Sequence, residues 1–438
     1  MNTKQIVSII LAAGILSGIP VHAATEITYW LWDNNQLPSY KACAEAFEKQ
    51  NPDITVRITQ TGWFDYWTAL STAFVSGTAP DVFWDHLSRY PEFVGNNLLL
   101  DLAPLIARDN VPTGIYVGGL VKVWGRGAKQ YGLPKDWDTI GIVYNQAMLD
   151  RAGIDPKSLW DLTWNPNDGG SFGNLIARLA LDGKGKNGLD PGFDRQDLMQ
   201  YGLLVNGLSD GLGHEEWAGF AASLGWNYSA GPWATHFNYD DPRLIETVQW
   251  FADLSLKKNI IVPAKDARQA GATGLFAAQK GALAITGSWL VHWFTENCKF
   301  EIGFAPLPKG PVGRKSVING LADSIWVGSK HQEEAWKWVK FLASPEAQKI
   351  VGGYGVVFPA IPEAAEISEK RMAEKGADVS AFVEEAKEPQ GTFFLPISEH
   401  GSDVVRILRA NLDAIFLEGA DVETTLKAAN KEVNSLFE

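Results

Sequence analysis

Lys135, Asp136, Trp137 and Asp138 put one ammonium, two carboxylates and one indole into four consecutive residues. The turn signals Gly132 and Pro134 precede them, and the β-branched run Ile140–Tyr144 follows. A polar, aromatic knot between a turn and a buried strand costs free energy unless its groups are paired or used. A solvated loop is one reading. The other is a chain crossing between two lobes, with a ligand facing the knot. Two further carboxylates, Asp33 and Asp85, are expected at the same cleft. Paired carboxylates about 5–10 Å apart could hydrolyse a glycosidic bond. Carboxylates also accept hydrogen bonds from sugar hydroxyls, and the residues alone leave both chemistries open.

The elements around these residues read as alternating strands and helices. Glu26–Trp32 alternates as a strand and ends in the polar turn Trp32–Asn35. A helix from about Pro38 to Gln50 follows, and then a strand, Ile54–Gln60. Strand, helix, strand is the βαβ unit of a parallel sheet, and ligands bind beyond the carboxyl ends of such strands. That places Trp32, Asp33 and Trp63 at the cleft. Asp65–Val75 reads as a helix and Asp81–Trp84 as a short strand, with Trp84, Asp85 and His86 at its carboxyl end. Downstream, Asp197–Gly207 and Glu215–Ser223 read as short helices before Trp226, and Pro242–Lys257 as a longer one. Ala282–Thr286 is a strand ending at Gly287-Ser288-Trp289. The stretch around Asn319 looks like a second crossing. The last helix carries Val422, Leu426, Ala429, Val433 and Leu436 on one stripe, with Asp421 as its N-cap.

Several motifs match chemistry without its context. Gly169–Gly173 fits G-x-S-x-G, but no strand precedes it as a nucleophile elbow requires; Ser171 is expected to cap a helix beginning at Phe172. Gly183–Gly188 fits G-x-G-x-x-G, but lacks the strand before and the helix after. The seven His residues show no metal-ligand spacing, and no cofactor or metal is implied. A chain of 438 residues can bury two or three cores. Its formal net charge of −13 opposes nucleic-acid binding. Eighteen Trp residues exceed what cores need, and a flat indole is a platform for the C–H face of a sugar. Residues 1–23 read as a secretion signal cleaved near Ala23, without a lipid-anchor Cys. Cys43 lies on the inward stripe of the first helix and reads as a core residue.

Four stretches in order carry a resemblance: Ala79–Val82, Tyr131–Pro134, Ile142–Asn145 and Ala282–Trp289. Together they resemble the extracellular solute-binding proteins of bacterial sugar ABC importers, the class that includes maltose-binding protein, over nearly the whole mature chain. The resemblance implies an α/β, two-lobed periplasmic-binding-protein fold of class II type, with three interlobe crossings and a central ligand cleft. Lobe one would comprise 24–137 plus 321–358, and lobe two 140–318 plus 363–438. It further implies a periplasmic, non-enzymatic monomer that binds a carbohydrate and delivers it to permease subunits in the inner membrane. Trp32, Trp63, Trp84, Trp226 and Trp289 are then expected to stack on sugar faces. Asp33, Asp85, Asp138 and Asn319 would meet hydroxyls. Asp138 and Trp289 align with an acidic and a stacking contact of the family, and loss of Asp138 is expected to cost affinity rather than fold. Cys43 and Cys298 fall in different lobes, so two free thiols are expected. A hydrolase, or a binder of a non-sugar or acidic-sugar solute, remains the alternative.

Overall fold

The computed structural model describes residues 24–387 and 390–438; the expected signal segment, 1–23, lies outside them. The first strands form as their alternation requires. β1 (Thr25–Leu31) buries Ile27, Tyr29 and Leu31. It pairs in parallel with β2 (Ile54–Gln60) in the register Thr25↔Ile54 to Leu31↔Gln60. The helix Leu37–Gln50 connects them and turns Tyr40, Cys43 and Phe47 inward. The helix Trp63–Ser76 leads on to β3 (Val82–Asp85), which is parallel to β1 on its other side.

A small hairpin, β4 (Gly125–Arg126) with β5 (Lys129–Gln130), precedes β6 (Leu133–Asp138), all six of whose residues are buried. The knot is therefore a central strand, not a solvated loop. One residue, Thr139, separates β6 from β7 (Ile140–Asn145), which belongs to a second sheet. That sheet continues with β8 (Leu181–Asp182), β9 (Leu198–Leu204), β10 (Gly281–Gly287) and β11 (Ile302–Pro306), in the order β11-β7-β10-β9-β8. Residues 197–207, expected as a helix, thus hold a strand paired with β10 on one side and β8 on the other.

The long strand β12 (Ser316–Ile325) returns to the first sheet. Ser316 Oγ accepts from the Ile140 amide at 2.8 Å beside the crossing. Asn319 pairs with Asp138, and Ala322 with Asp85, so β12 runs antiparallel between β6 and β3. β13 (Phe358–Pro359) extends the sheet beyond β6, and β14 (Thr392–Phe394) pairs with the start of β12.

The helix Pro362–Glu374, expected with the second lobe, packs instead on the helix Pro345–Tyr354 of the first. The Ser368 hydroxyl donates to the Val357 carbonyl at 2.6 Å, and Ala364 and Met372 bury with the first core. The chain rejoins the second sheet one element later, where the helix Ser380–Lys387 packs on β7 and β11. The last helix, Val422–Ser435, is capped by Asp421, whose carboxylate accepts from the Thr424 amide at 2.9 Å. No helix among the described residues is long and apolar enough to cross a membrane. Cys43 and Cys298 are free and buried, and burial pushes their thiols up to about 12 and about 11.

Candidate functional site

Strand direction decides what meets at the centre. β12 is antiparallel to both β3 and β6, and β1 and β2 are parallel to β3, so β1, β2, β3 and β6 all end on one edge. Trp32, Trp63, Asp85, His86 and Asp138 follow or close those ends. In the second sheet β7 is antiparallel to β10, and Ile140 sits opposite Gly287. Trp289 is thereby set beside the Thr139 crossing, whose carbonyl accepts from the Ser288 amide at 2.9 Å. The loop after β9 brings His214 to the same place.

The floor is the pair Asp138 and Asn319, whose residues lie 181 apart in sequence. Asn319 Nδ2 donates to Asp138 Oδ2 at 3.1 Å. Asp138 Oδ1 stands 3.4 Å from His214 Nε2 as an ion pair, without the alignment of a full hydrogen bond. Asn319 Oδ1 also lacks a partner, so three buried polar atoms converge unsatisfied. Burial alone would pull His214 down, but the Asp138, Glu215 and Asp210 carboxylates outweigh it and hold the imidazole above its ordinary range. Glu215 braces the loop: its carboxylate accepts from the Gly287 amide at 3.0 Å and from Asn206 Nδ2 at 3.0 Å.

Aromatic walls flank the floor. Trp289, half-buried, lies against the His214 ring at 5.2 Å and 40°. Gly287 makes room for it, since a Cβ there would sit 2.0 Å from the indole. On the opposite wall Trp32 and Trp63, also half-buried, meet edge-to-face at 5.2 Å, and Trp63 meets His86 at 5.4 Å. His86 and His214 are near enough for their charges to repel. Burial first, then that repulsion and Arg89, push His86 well below its ordinary range. Each wall thus pairs a Trp with a His.

Other expected site residues lie elsewhere or are occupied. Trp84 is fully buried beneath Trp32, its indole N–H donating to Tyr29 and its face covered by Lys135 Nζ at 3.7 Å. It is core, because the strand β3 turns it into the sheet's packed face. Trp226 is also core: it packs on Trp217, Tyr228 and Tyr239, and its N–H donates to the Asn238 carbonyl at 2.8 Å. Asp85 is wholly buried, accepting from the His86 amide at 2.8 Å and the Ser324 hydroxyl at 3.1 Å, and burial raises its carboxyl to about 8. Asp33 accepts from the Asn35 amide at 2.8 Å and Gln36 Nε2 at 2.9 Å, anchoring the turn. Ser171 does not cap its helix; it lies inside Gly170–Leu179, and its hydroxyl accepts from the Thr163 amide at 2.8 Å. Among the described residues no cluster of three His, Cys, Asp or Glu side chains could hold a metal ion.

The sequence singles out neither His214 nor Glu215, and it sets His86 at the carboxyl end of its strand without giving it a role. The available signal was the run His214-Glu215-Glu216 directly after the glycine-rich Gly207–Gly213, a charged triplet where a turn would otherwise be solvated.

Two α/β lobes joined at crossing strands, with orphaned polar atoms and indoles at the junction, define a two-lobed solute receptor. The chain belongs to the bacterial extracellular solute-binding proteins, whose family model matches residues 33–349. It is similar to the arabinooligosaccharide-binding protein of Bacillus subtilis, 22% identical over 74% of this chain and 70% of that one. Among solved structures it is similar to UspC of M. tuberculosis, with TM-score 0.75 and 26% identity, covering 94% of this chain and 99% of that one. It is also similar to an ABC substrate-binding protein of Listeria monocytogenes in complex with cycloalternan, with TM-score 0.80 and 20% identity over 94% and 99% of the two chains.

Proposed function

We propose that the protein is the periplasmic receptor of a sugar ABC importer. It closes its lobes over a neutral di- or oligosaccharide and, as a monomer, passes it to permease subunits in the inner membrane. The observation that carries this reading is the convergence of Asp138 Oδ1, Asn319 Oδ1 and His214 Nε2, all buried without hydrogen-bond partners, between Trp289 and Trp63. Buried polar atoms without partners are costly, and sugar hydroxyls supply both donors and acceptors to satisfy them. The indoles match the C–H faces of the same rings. The names of similar proteins, which bind an arabinooligosaccharide and cycloalternan, support the class.

Binding without turnover is part of the proposal. Hydrolysis needs two working carboxylates, whereas Asp33 and Asp85 are occupied by protein donors. The test is a thermal-shift panel of neutral oligosaccharides, acidic sugars and non-sugar solutes, followed by chromatography of any stabilising ligand after incubation. A ligand at a hundredfold excess over Kd should stabilise by about 2.7 kcal/mol. Stabilisation only by charged or non-sugar solutes would overturn the sugar assignment, and product formation would overturn the non-enzymatic one.

A further inference from the structure

A second contact between the lobes is made by residues other than those of the floor and walls. Residues 227–238 form a strut. Its base is closed by the bridge Ser229↔Phe237 and by the Asn238 amide donating to the Tyr228 carbonyl at 2.9 Å. The base is bolted to the last helix, where Asn434 Oδ1 accepts from the Phe237 amide at 2.8 Å and Asn430 Oδ1 accepts from the Tyr239 amide at 2.9 Å. The strut therefore moves with the second lobe. Its tip is Trp233, a bulky residue held at φ +61°, in the left-handed region that such side chains rarely adopt.

The tip reaches the first lobe. Trp233 Nε1 donates to the Gly125 carbonyl of the β4–β5 hairpin at 2.9 Å. The Arg126 guanidinium lies over the indole at 4.5 Å, and Tyr90 meets its edge at 5.6 Å and 86°. Arg126 also pairs with Glu399, just before the second-lobe helix Gly401–Glu418. The Trp233 amide donates to the Ile397 carbonyl at 2.8 Å, which fixes the tip to that same segment. The hairpin is itself tied to the crossing strand, since Gln130 Nε2 donates to the Gly132 carbonyl at 2.8 Å, immediately before β6.

We propose that Trp233 and Arg126 form an interlobe latch: positioning residues that hold the closed cleft and so set ligand residence time without touching the ligand. The inference rests on the lobe-closing receptor described above. A strained Trp at the tip of a strut is held only where surrounding contacts over-determine it; here the Ile397 carbonyl of its own lobe holds the amide, and Gly125, Arg126 and Tyr90 of the other lobe hold the indole. A contact present only when the lobes meet favours the closed state by its own free energy, and ligand affinity follows that population.

The test uses full-length mature protein and two variants, Trp233→Ala and Arg126→Gln; the second alters a half-exposed side chain and leaves both cores intact. Release of a stabilising oligosaccharide from the panel is followed by stopped-flow Trp fluorescence, with melting temperature measured alongside. Both variants should release ligand about tenfold faster, the change in residence expected when a closed-state contact is lost. Unchanged release in both overturns the latch, as does a lower melting temperature with wild-type release, the mark of a structural role alone. Should no panel member bind the wild type, the sugar reading fails separately, and the latch is judged without ligand by hydrogen exchange. Arg126→Gln must then speed exchange at the Trp233 amide, and unchanged exchange there overturns it.

Discussion

Asp138→Asn is the perturbation that isolates the floor of the site. The amide keeps the shape of the carboxylate, and its oxygen can still accept from Asn319 Nδ2, now at 3.1 Å. What it removes is the charge facing His214 and any ligand hydroxyl at Oδ1. A hydrogen bond to a charged group contributes about 1.5–3 kcal/mol, against about 0.5–1.5 kcal/mol for a neutral pair. Losing that difference at one ligand hydroxyl amounts to about 1 kcal/mol, or a five- to tenfold weaker Kd at roughly 1.4 kcal/mol per decade. The His214 imidazole, held up in part by Asp138, should also fall toward its ordinary range. Titration calorimetry gives the affinity, and scanning calorimetry of the ligand-free protein gives the fold. The expected result is weaker binding with a melting temperature close to wild type. Affinity within twofold of wild type would refute the reasoning, as would a loss wholly explained by a lower melting temperature. Asp138→Ala is a poorer probe than the sequence suggests. It orphans Asn319 Nδ2, at about 1–3 kcal/mol for a buried group, and strips His214 of its ion-pair partner, so it should weaken fold and binding together.

Trp289→Ala should cost about 1–3 kcal/mol of binding, the range for aromatic stacking platforms, whereas Trp84→Phe and Trp226→Phe should change melting temperature without a comparable loss; equal affinity for the Trp289 variant would remove the stacking wall. Stability should fall as pH rises from about 4 to about 8, because burial raises Asp85 to about 8, Asp323 to about 7 and Glu385 to about 8, so the folded state holds protons that the unfolded state has released. His214, also raised, acts in the same direction as pH climbs through its folded value, while His86, lowered by burial, opposes it below about pH 6.5. Denaturant unfolding at pH 5 and pH 8 checks the sign, and Asp85→Asn should gain on the wild type between the two; a constant difference would show that Asp85 does not titrate there. Neither Cys43 nor Cys298 should react with Ellman's reagent until the protein is unfolded, when two thiols should appear.

Local pattern was enough for much of the frame. The alternation in β1 and β2, the inward stripe of Tyr40, Cys43 and Phe47 and the Asp421 cap depend on residues a few positions apart, and each forms as read. The crossing beside Asp138 was legible for the same reason: a turn, a polar cluster and a β-branched run follow one another directly. Tertiary structure decided the rest, because pairing and burial depend on residues far apart in the chain. Leu198–Leu204 is a strand because β8 and β10 offer edges on either side, and Gly202 lets Ile176 of the neighbouring helix approach; a Cβ there would sit 2.0 Å from the Ile176 carbonyl oxygen. Nothing local separates the Trp of a wall from the Trp of a core, yet packing buries Trp84 and Trp226 and leaves Trp289 half open. Asp138, His214 and Asn319 come together only because two sheets of opposite lobes end at the same crossing, and strand direction, which no single stretch encodes, brings those ends together.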